Sequence, residues 1–128
     1  MKIKLEDLNR VKYSLSKLLT VTTVPARVAW RCTKFSKLVS KELEELETTR
    51  IALCEQYGKL DEKEGRYVFP GDGEAKFKED FEKVLQEEVE FPDVKIAVGD
   101  LEKAGLSMMD FAHLDFLIDE TDPTDKKG

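Results

Sequence analysis

The sequence predicts a mainly helical α+β fold, in which two or three shorter helices pack a long central helix beside a small β-hairpin or sheet. Apolar residues recur at helical spacing from Pro25 to Tyr57 with no glycine and no further proline. Short β-branched and aromatic segments lie between the glycines and prolines of the second half. At 128 residues the chain has the length of one domain. We therefore expect a single domain over residues 1–118 and a flexible acidic tail over 119–128.

The first part of the chain is predicted to form an edge strand and then an amphipathic helix. Residues 1–5 alternate in polarity as an edge strand does. From Glu6 to Thr20 the spacing is helical, with apolar positions at Leu8, Val11, Leu15, Leu18 and Leu19. The β-branched run that follows ends this helix, and Pro25 suits the first turn of the next one, capped by Thr23 or Val24.

A second helix from Pro25 to Tyr57 is predicted to be the backbone of the protein. Its apolar positions fall within an arc of roughly 80°, a narrow seam that packs against one or two other helices. They are Val28, Cys32, Phe35, Val39, Leu43, Leu46, Leu53 and Tyr57. Gly58 is predicted to end the helix in a left-handed conformation. A helix longer than ~25 residues favours packing against another subunit.

A β-hairpin and a third helix are predicted to follow Gly58. The hairpin covers residues 59–70, with a polar turn at Gly65 and a proline at its end. The third helix runs from about Glu74 to Glu88, and its opposite face is crowded with carboxylates. Its predicted core face consists of Phe77, Phe81, Val84 and Leu85.

The C-terminal part is predicted to contain a strand, a short helical turn and a last helix. Residues 94–98 alternate in polarity, and Gly99 and Asp100 open the turn. Ser107 and Asp110 have the spacing of a capping box, which starts a helix through about Ile118. The packing residues expected on it are Met109, Ala112, Phe116 and Leu117.

Charge is divided sharply along the chain. Residues 1–41 carry ten Lys/Arg and two Asp/Glu, a net charge of +8. The remaining 87 residues carry eleven Lys/Arg and twenty-five Asp/Glu, a net charge of −14, so that the whole chain has a net charge of −6. A cationic surface on an acidic protein favours a binding role over catalysis. The overall negative charge argues against broad coating of nucleic acid.

Residues that carry catalysis or bind metals are sparse. His113 is the one histidine, and no Ser or Cys in a nucleophile elbow accompanies it. A pairing of His113 with Cys32 or Cys54 stays open. These cysteines are 22 residues apart in one predicted helix, too far for a disulfide, and with one histidine they do not form a zinc ligand set. We expect no catalytic residues, no metal and no cofactor, and two buried or half-buried thiols.

One face of the second helix concentrates positive charge and an indole. Its side chains share an arc of about 120° opposite the apolar seam. They are Arg27, Trp30, Arg31, Lys34, Lys37 and Lys41, called the cationic face below. Such a face can hold phosphates or carboxylates, with Trp30 as a stacking or cation–π surface. Arg10, Lys12 and Lys17 of the first helix would widen it.

Four uses of the cationic face are open on the sequence alone. The face is solvated, it docks against the acidic third helix of the same chain, it binds an acidic protein or a second subunit, or it binds a nucleotide or nucleic acid. No apolar run approaches the ~18–20 residues of a membrane span, and the first residues do not have the pattern of a signal peptide. We therefore expect a cytoplasmic protein without a membrane partner.

The layout of the chain resembles a family of small phage and prophage proteins of unknown function from viruses of Gram-positive bacteria. The resemblance rests on Met1-Lys2-Ile3-Lys4 before a Leu-rich helix, on a long charged helix ending at Gln56-Tyr57-Gly58, on the hairpin from Asp61 to Phe69, and on the closing helix from Leu106 to Ile118. It implies a phage origin and action in an infected bacterium. It implies no mechanism and no functional residues.

The function expected from these observations is that of a non-enzymatic binding protein made by a phage. It acts stoichiometrically and antagonises a bacterial defence system, either by binding a defence protein or by sequestering an anionic nucleotide signal. The alternative is a chaperone or minor structural protein of phage tail or head assembly that forms a homo-oligomer through its long helix. An enzyme is the least favoured class.

Overall fold

The protein is a mainly helical α+β domain built on one long helix, as the sequence predicts. The computed structural model describes residues 1–21 and 23–119. The α-helices in this part of the chain are α1 (Leu8–Leu19), α2 (Ala26–Tyr57), α3 (Gly73–Leu85) and α4 (Met108–Leu114). Helix α2 is unbroken over its 32 residues, which confirms the predicted central rod. None of the helices described is both long and apolar enough to cross a membrane.

Short strands join distant parts of the chain in pairs. The strands are β1 (Lys2–Lys4), β2 (Lys59–Asp61), β3 (Arg66–Val68), β4 (Glu88–Glu90), β5 (Ile96–Ala97) and β6 (Ile118–Asp119). Strands β1 and β4 pair antiparallel, with Ile3 opposite Val89. Strands β2 and β3 form the predicted antiparallel hairpin. Strands β5 and β6 are parallel, with Ile96 opposite Ile118.

The apolar core lies along the N-terminal half of α2. One cluster of buried side chains unites this half of the helix with α1, with the segment around β5 and with the end of α4. The buried residues that α2 contributes to this cluster are Val28, Cys32, Phe35 and Val39. Phe35 is 1% exposed, and its ring lies 5.3 Å from that of Phe91 and 6.2 Å from that of Phe116. The predicted seam is therefore the face that α2 buries.

The C-terminal half of α2 packs against α3 and the hairpin instead. Leu46 and Cys54 are buried there, whereas Leu43, Leu53 and Tyr57 are half-buried. Half-buried Phe77 of α3 stacks near Phe69 and Phe81, at ring distances of 5.1 and 5.7 Å. The predicted core face of α3, which also includes Val84 and Leu85, is thus only partly covered.

The start of α2 differs from the predicted cap. Pro25 occupies the cap position, with no side-chain hydrogen bond to the first turn. Thr23 does not cap the helix, because its hydroxyl donates to the Lys103 carbonyl oxygen at 2.7 Å. Val24 is buried and belongs to the core cluster. The Thr23 side chain, which the local sequence predicts as the cap, thus makes a tertiary hydrogen bond instead.

Gly58 ends α2 as predicted, but for another reason. Its φ is −134°, so the backbone is extended rather than left-handed. A side chain is excluded by close approach, since a Cβ on Gly58 would lie 2.8 Å from the Val68 carbonyl oxygen and 2.9 Å from Phe69 Cδ1. The glycine lets the hairpin fold back onto the end of the helix.

The end of the third helix was predicted too late. Helix α3 stops at Leu85, and residues Glu88–Glu90 form β4. The pairing with β1 decides this, because the Leu5 amide donates to the Glu87 carbonyl oxygen at 3.0 Å and extends the ladder. Val89 is half-buried opposite Ile3. The predicted strand over residues 94–98 is shorter than expected and is followed by a 3₁₀ turn over Val98–Leu101.

The capping box at the start of α4 is confirmed, but the rest of this helix differs. The Ser107 hydroxyl accepts from the Asp110 amide, and the Asp110 carboxylate accepts from the Ser107 amide. The helix ends at Leu114, four residues early, and a 3₁₀ turn over Asp115–Leu117 leads into β6. Met109 and Ala112 are exposed rather than packed. The other two predicted residues do pack, since Leu117 is buried and Phe116 is half-buried against the core, and Leu114 is buried as well.

Two further expectations concern the thiols and the tail. Cys32 and Cys54 are free and buried, as predicted, and burial raises the pKa of the Cys32 thiol. Asp119, which the sequence assigned to the tail, lies in β6 opposite Ala97. The rest of that tail, residues 120–128, lies outside the described residues.

Replacing Phe35 with Asp is expected to unfold the protein. The substitution removes the central ring of the core and buries a charge, a combined cost of more than about 4 kcal/mol. Circular dichroism against urea measures the effect. The matched control is Leu38→Asp on the same helix, where the side chain is 40% exposed and the expected loss is below about 1 kcal/mol. Equal stability of the Phe35→Asp variant and the native protein would contradict this account of the core.

Candidate anion-binding face

The cationic face lies on the side of α2 that turns away from the core. All six predicted side chains are exposed. Trp30 has 61% of its surface exposed, which is unusual for the largest apolar side chain. Burial of the seam on one side of a rigid helix fixes the cationic face on the other, because helix geometry ties the two together.

Among the described residues, the cations of this face have no acidic partner. Within residues 1–21 and 23–119, no carboxylate lies within 4.0 Å of the charged groups of Arg27, Arg31, Lys34, Lys37 or Lys41. The sequence explains this, since residues 8–41 contain no Asp or Glu. A helical residue finds its intrahelical ion-pair partner three or four positions away, and none of these positions carries an acid before Glu44.

Helix α3 shows the opposite arrangement. Its three lysines, Lys76, Lys78 and Lys83, each pair with a carboxylate four residues earlier at 3.1–3.5 Å. Two of the carboxylates of α3, Glu74 and Glu79, therefore form ion pairs with lysines of the same helix. Helix α3 also packs on the far half of α2, where the Tyr57 hydroxyl donates to Asp80. The structure thus contradicts the interpretation in which the cationic face docks on the acidic third helix.

Trp30 and Lys34 form a local unit on the cationic face. The Lys34 ammonium lies 4.4 Å from the centroid of the Trp30 ring. A cation over an indole face is attracted by the negative quadrupole of the ring, by roughly 0.5–1 kcal/mol at an exposed site. The contact holds a positive charge beside an exposed aromatic surface, which is the combination that stacked anionic ligands need.

A groove of about 600 Å³ runs beside this unit. Helix α2 forms one wall, and the segment between β4 and β5 forms the other. The residues that line it are Trp30, Arg31, Lys34, Phe35, Leu38, Pro92, Asp93, Val94 and Lys95. The lining is mainly apolar, with Arg31 and Lys34 on one wall and Lys95 on the other. We call this concavity the Trp30 groove.

Two charged groups of the opposite wall already have partners. The Asp93 carboxylate accepts a hydrogen bond from the Met1 amino group at 3.1 Å, and the two form an ion pair. The Lys95 ammonium donates to the Phe116 carbonyl oxygen at 2.9 Å, which is a neutral partner. The Asp93 carboxylate is thus ion-paired, whereas Arg31, Lys34 and Lys95 have no acidic partner among the residues that the structure describes.

The structure separates the predicted residues into two groups. Trp30, Arg31 and Lys34 line the groove, whereas Arg27, Lys37 and Lys41 continue the cationic face along α2 outside it. Sequence reasoning missed the second wall, residues 92–95. Helical periodicity carries no information on which distant segment faces a helix, and the Phe91-Pro92-Asp93 turn was the one local signal of a break there.

Two of the three cations of the first helix that were expected to widen the face, Arg10 and Lys17, have acidic partners, and the third, Lys12, is exposed. The Lys17 ammonium lies 2.9 and 3.2 Å from the two carboxylate oxygens of Asp110 in α4. It also lies 4.8 Å from the centroid of the Tyr13 ring. Arg10 lies 4.0 Å from Asp7.

The histidine lies in a polar cluster that links α1 to α4. His113 Nδ1 is 3.2 Å from the Ser14 hydroxyl, and that hydroxyl donates to Asp110 Oδ1 at 2.9 Å. The arrangement is not that of a catalytic triad, since the carboxylate bonds to the serine rather than to the histidine. Ser14 is fully buried, out of reach of a substrate. The contact of His113 is with this hydroxyl and not with either thiol.

Asp110 is the centre of this cluster. Although it is 1% exposed, its carboxylate accepts from Lys17, from Ser14 and from both the amide and the hydroxyl of Ser107. The Lys17 ammonium, followed by the hydrogen bonds from Ser107 and Ser14, lowers the pKa of Asp110 well below its ordinary value of 3.8. The cluster is therefore a structural connection between the two helices.

No group of three or more His, Cys, Asp or Glu side chains in the described residues is arranged to hold a metal ion. Asp72 and Glu74, at the start of α3, form ion pairs with Lys76 and Lys78 instead.

Comparison of the chain with protein-family models, with curated proteins and with solved structures gives no match. The cationic face and its groove are therefore the features of the described residues that bear on function.

The Asp110 cluster predicts a specific sensitivity to acid. A carboxylate whose pKa is lowered by folding stabilises the protein above its ordinary pKa, and this contribution is lost as the pH falls below that value. The native protein should therefore be more stable than the Asp110→Asn variant at neutral pH, and the difference should shrink below about pH 4. Urea unfolding at a series of pH values measures it.

The control for the acid experiment is Asp115→Asn, because Asp115 is exposed one residue beyond α4. This variant should follow the native stability profile throughout. A difference between native and Asp110→Asn protein that stays constant down to pH 2 would contradict the assignment.

Proposed function

We propose that this protein is a non-enzymatic binding protein that acts stoichiometrically through the cationic face of α2. The observation that carries the proposal is a row of exposed cations without an acidic partner in the described residues, beside an exposed tryptophan. The proposed setting is an infected bacterium, and the proposed role is antagonism of a host defence system. That setting comes from the resemblance to small phage proteins and not from the geometry.

Electrostatics supports binding over simple solvation of this face. Positive charge is concentrated on one side of a protein whose net charge is −6, so an anionic partner is attracted to α2 and repelled elsewhere. Such a field orients the approach of a partner and raises the rate of association. The core anchors the helix along the same residues, so little backbone conformational freedom is lost on binding.

The alternative role in phage assembly has one supporting observation. The far end of α2 and the hairpin expose apolar side chains, with Ile51, Leu60 and Val68 at 37%, 53% and 49% exposure. A helix that projects beyond its core with such residues is a candidate for self-association. Light scattering coupled to size exclusion tests this alternative, which requires an oligomer that Ile51→Glu dissociates.

Reversal of two charges tests the proposed function. The double variant Arg31→Glu, Lys34→Glu should keep the fold and its cooperative unfolding, because both side chains are exposed. It should lose capture of a partner from extracts of infected host cells and should lose protection of a phage from host immunity. The reversal places carboxylates against an anionic partner, and like charges brought together at an interface cost several kcal/mol in binding, so the loss should exceed about a hundredfold in affinity.

The matched control reverses Lys76 and Lys83 of α3, which makes the same change in net charge on another face. This variant should capture the partner and protect the phage as the native protein does. Normal activity of the Arg31→Glu, Lys34→Glu variant would show that the face is merely solvated and would refute the proposal.

A further inference from the structure

We infer that the Trp30 groove is a binding site for a free nucleotide, with the base held against the apolar lining and the phosphates held by the cations at the rim. The inference rests on the proposed function, because it gives a ligand class to the same cationic face. It adds the second wall, residues 92–95, which the helix alone does not supply.

The apolar lining suits a planar base. Trp30 offers an exposed indole, while Leu38, Pro92 and Val94 supply apolar surface on both walls above buried Phe35. Any of the nucleobases can stack on an aromatic side chain, since every base has a π-face. The groove volume of about 600 Å³ falls within the ~300–1,000 Å³ of small-molecule sites, which is suited to one nucleotide.

The cations suit phosphate. Arg31 and Lys34 are one helical turn apart on one wall, and Lys95 lies on the opposite wall, so that a phosphate chain between them meets positive charge from both sides. The guanidinium of Arg31 matches phosphate oxygens in bidentate geometry. The Lys34 ammonium already lies over Trp30, and rotation of its flexible stem moves it from the ring to a phosphate when a base takes its place.

The same features disfavour two other anionic ligands. An acidic peptide would use the row of cations along α2 but not the apolar lining of the groove, whereas here apolar surface and positive charge lie together. A nucleic-acid strand would meet the strongly acidic remainder of the chain, with its net charge of −14 after residue 41. A small anion with one aromatic ring system fits both the size and the charge.

Trp30 makes the test direct, because it is the one tryptophan of the chain. The probes are ADP and GDP, with adenosine as a base without phosphate, pyrophosphate as phosphate without a base, and a short single-stranded oligonucleotide. The full chain carries its purification tag at the C-terminus, which keeps the Met1 amino group on Asp93. Tryptophan fluorescence and calorimetry follow each titration.

ADP or GDP should quench Trp30 and bind with a stoichiometry of one. Adenosine and pyrophosphate should each bind at least about tenfold more weakly than ADP, since each makes only part of the contacts that the whole nucleotide makes. Preferential binding of the oligonucleotide, equal binding of pyrophosphate and ADP, or absence of ADP and GDP binding would each overturn the inference.

Variants locate the ligand. Trp30→Ala should weaken ADP binding by about fivefold or more in calorimetry, and Trp30→Phe should restore part of the loss. The double variant Arg31→Glu, Lys34→Glu should weaken ADP binding by at least about tenfold. Because this variant keeps Trp30, its fluorescence also measures how much of the quenching comes from light absorbed by the nucleotide. The double variant Lys37→Glu, Lys41→Glu is the matched control, because both residues lie outside the groove. It should change ADP affinity little, since salt screens most of the effect of distant exposed charges. Equal losses in both double variants would place the ligand outside the groove and overturn the inference.

The two proposals fail separately. If neither nucleotide binds while Arg31→Glu, Lys34→Glu still abolishes phage protection, the inference is wrong and the binding function stands. If nucleotides bind in the groove while the same variant protects the phage normally, the ligand assignment stands and the proposed function is wrong.

Discussion

Burial of the apolar seam of α2 is the constraint on which the rest of the structure depends. Phe35 lies between the rings of Phe91 and Phe116, and this contact joins the long helix to segments more than fifty residues away in the chain. When one face of a helix is buried in the core, the residues on its opposite, exposed face are fixed by helix geometry. The cationic face is therefore a consequence of packing as much as of composition, and its separation from carboxylates follows from the absence of Asp and Glu in residues 8–41.

The sequence predicted the elements whose signal is local. The period of Val28, Cys32, Phe35 and Val39 gave the buried side of α2 correctly, and the spacing of Ser107 and Asp110 gave a real capping box. Exposure of the six residues of the cationic face followed from the same periodicity. Their binding role is a proposal that periodicity cannot test, because a solvated face and a docking face have the same pattern.

The features that the sequence missed depend on contacts between distant residues. Strand β4 forms in a polar, helix-prone segment because β1 lies beside it, and the Thr23 side chain leaves its expected cap for the Lys103 carbonyl oxygen. At the far end of α2, Cys54 is buried and Leu53 is only half-buried, although the predicted seam contained Leu53 and not Cys54. The second wall of the Trp30 groove belongs to the same class. In each case the neighbour, and not the local propensity, decides the outcome.

The division of α2 between two sets of neighbours has a consequence for its dynamics. From Ala26 to Val39 the helix is part of the main apolar cluster, whereas beyond Leu46 it depends on the partly covered α3 and a two-stranded hairpin. Regions with fewer buried contacts open at lower free energy than the core. Amide hydrogen exchange along this one helix should therefore be graded, with protection falling towards Tyr57, so that the rod is rigid where it carries Trp30 and yields first at its distal turns.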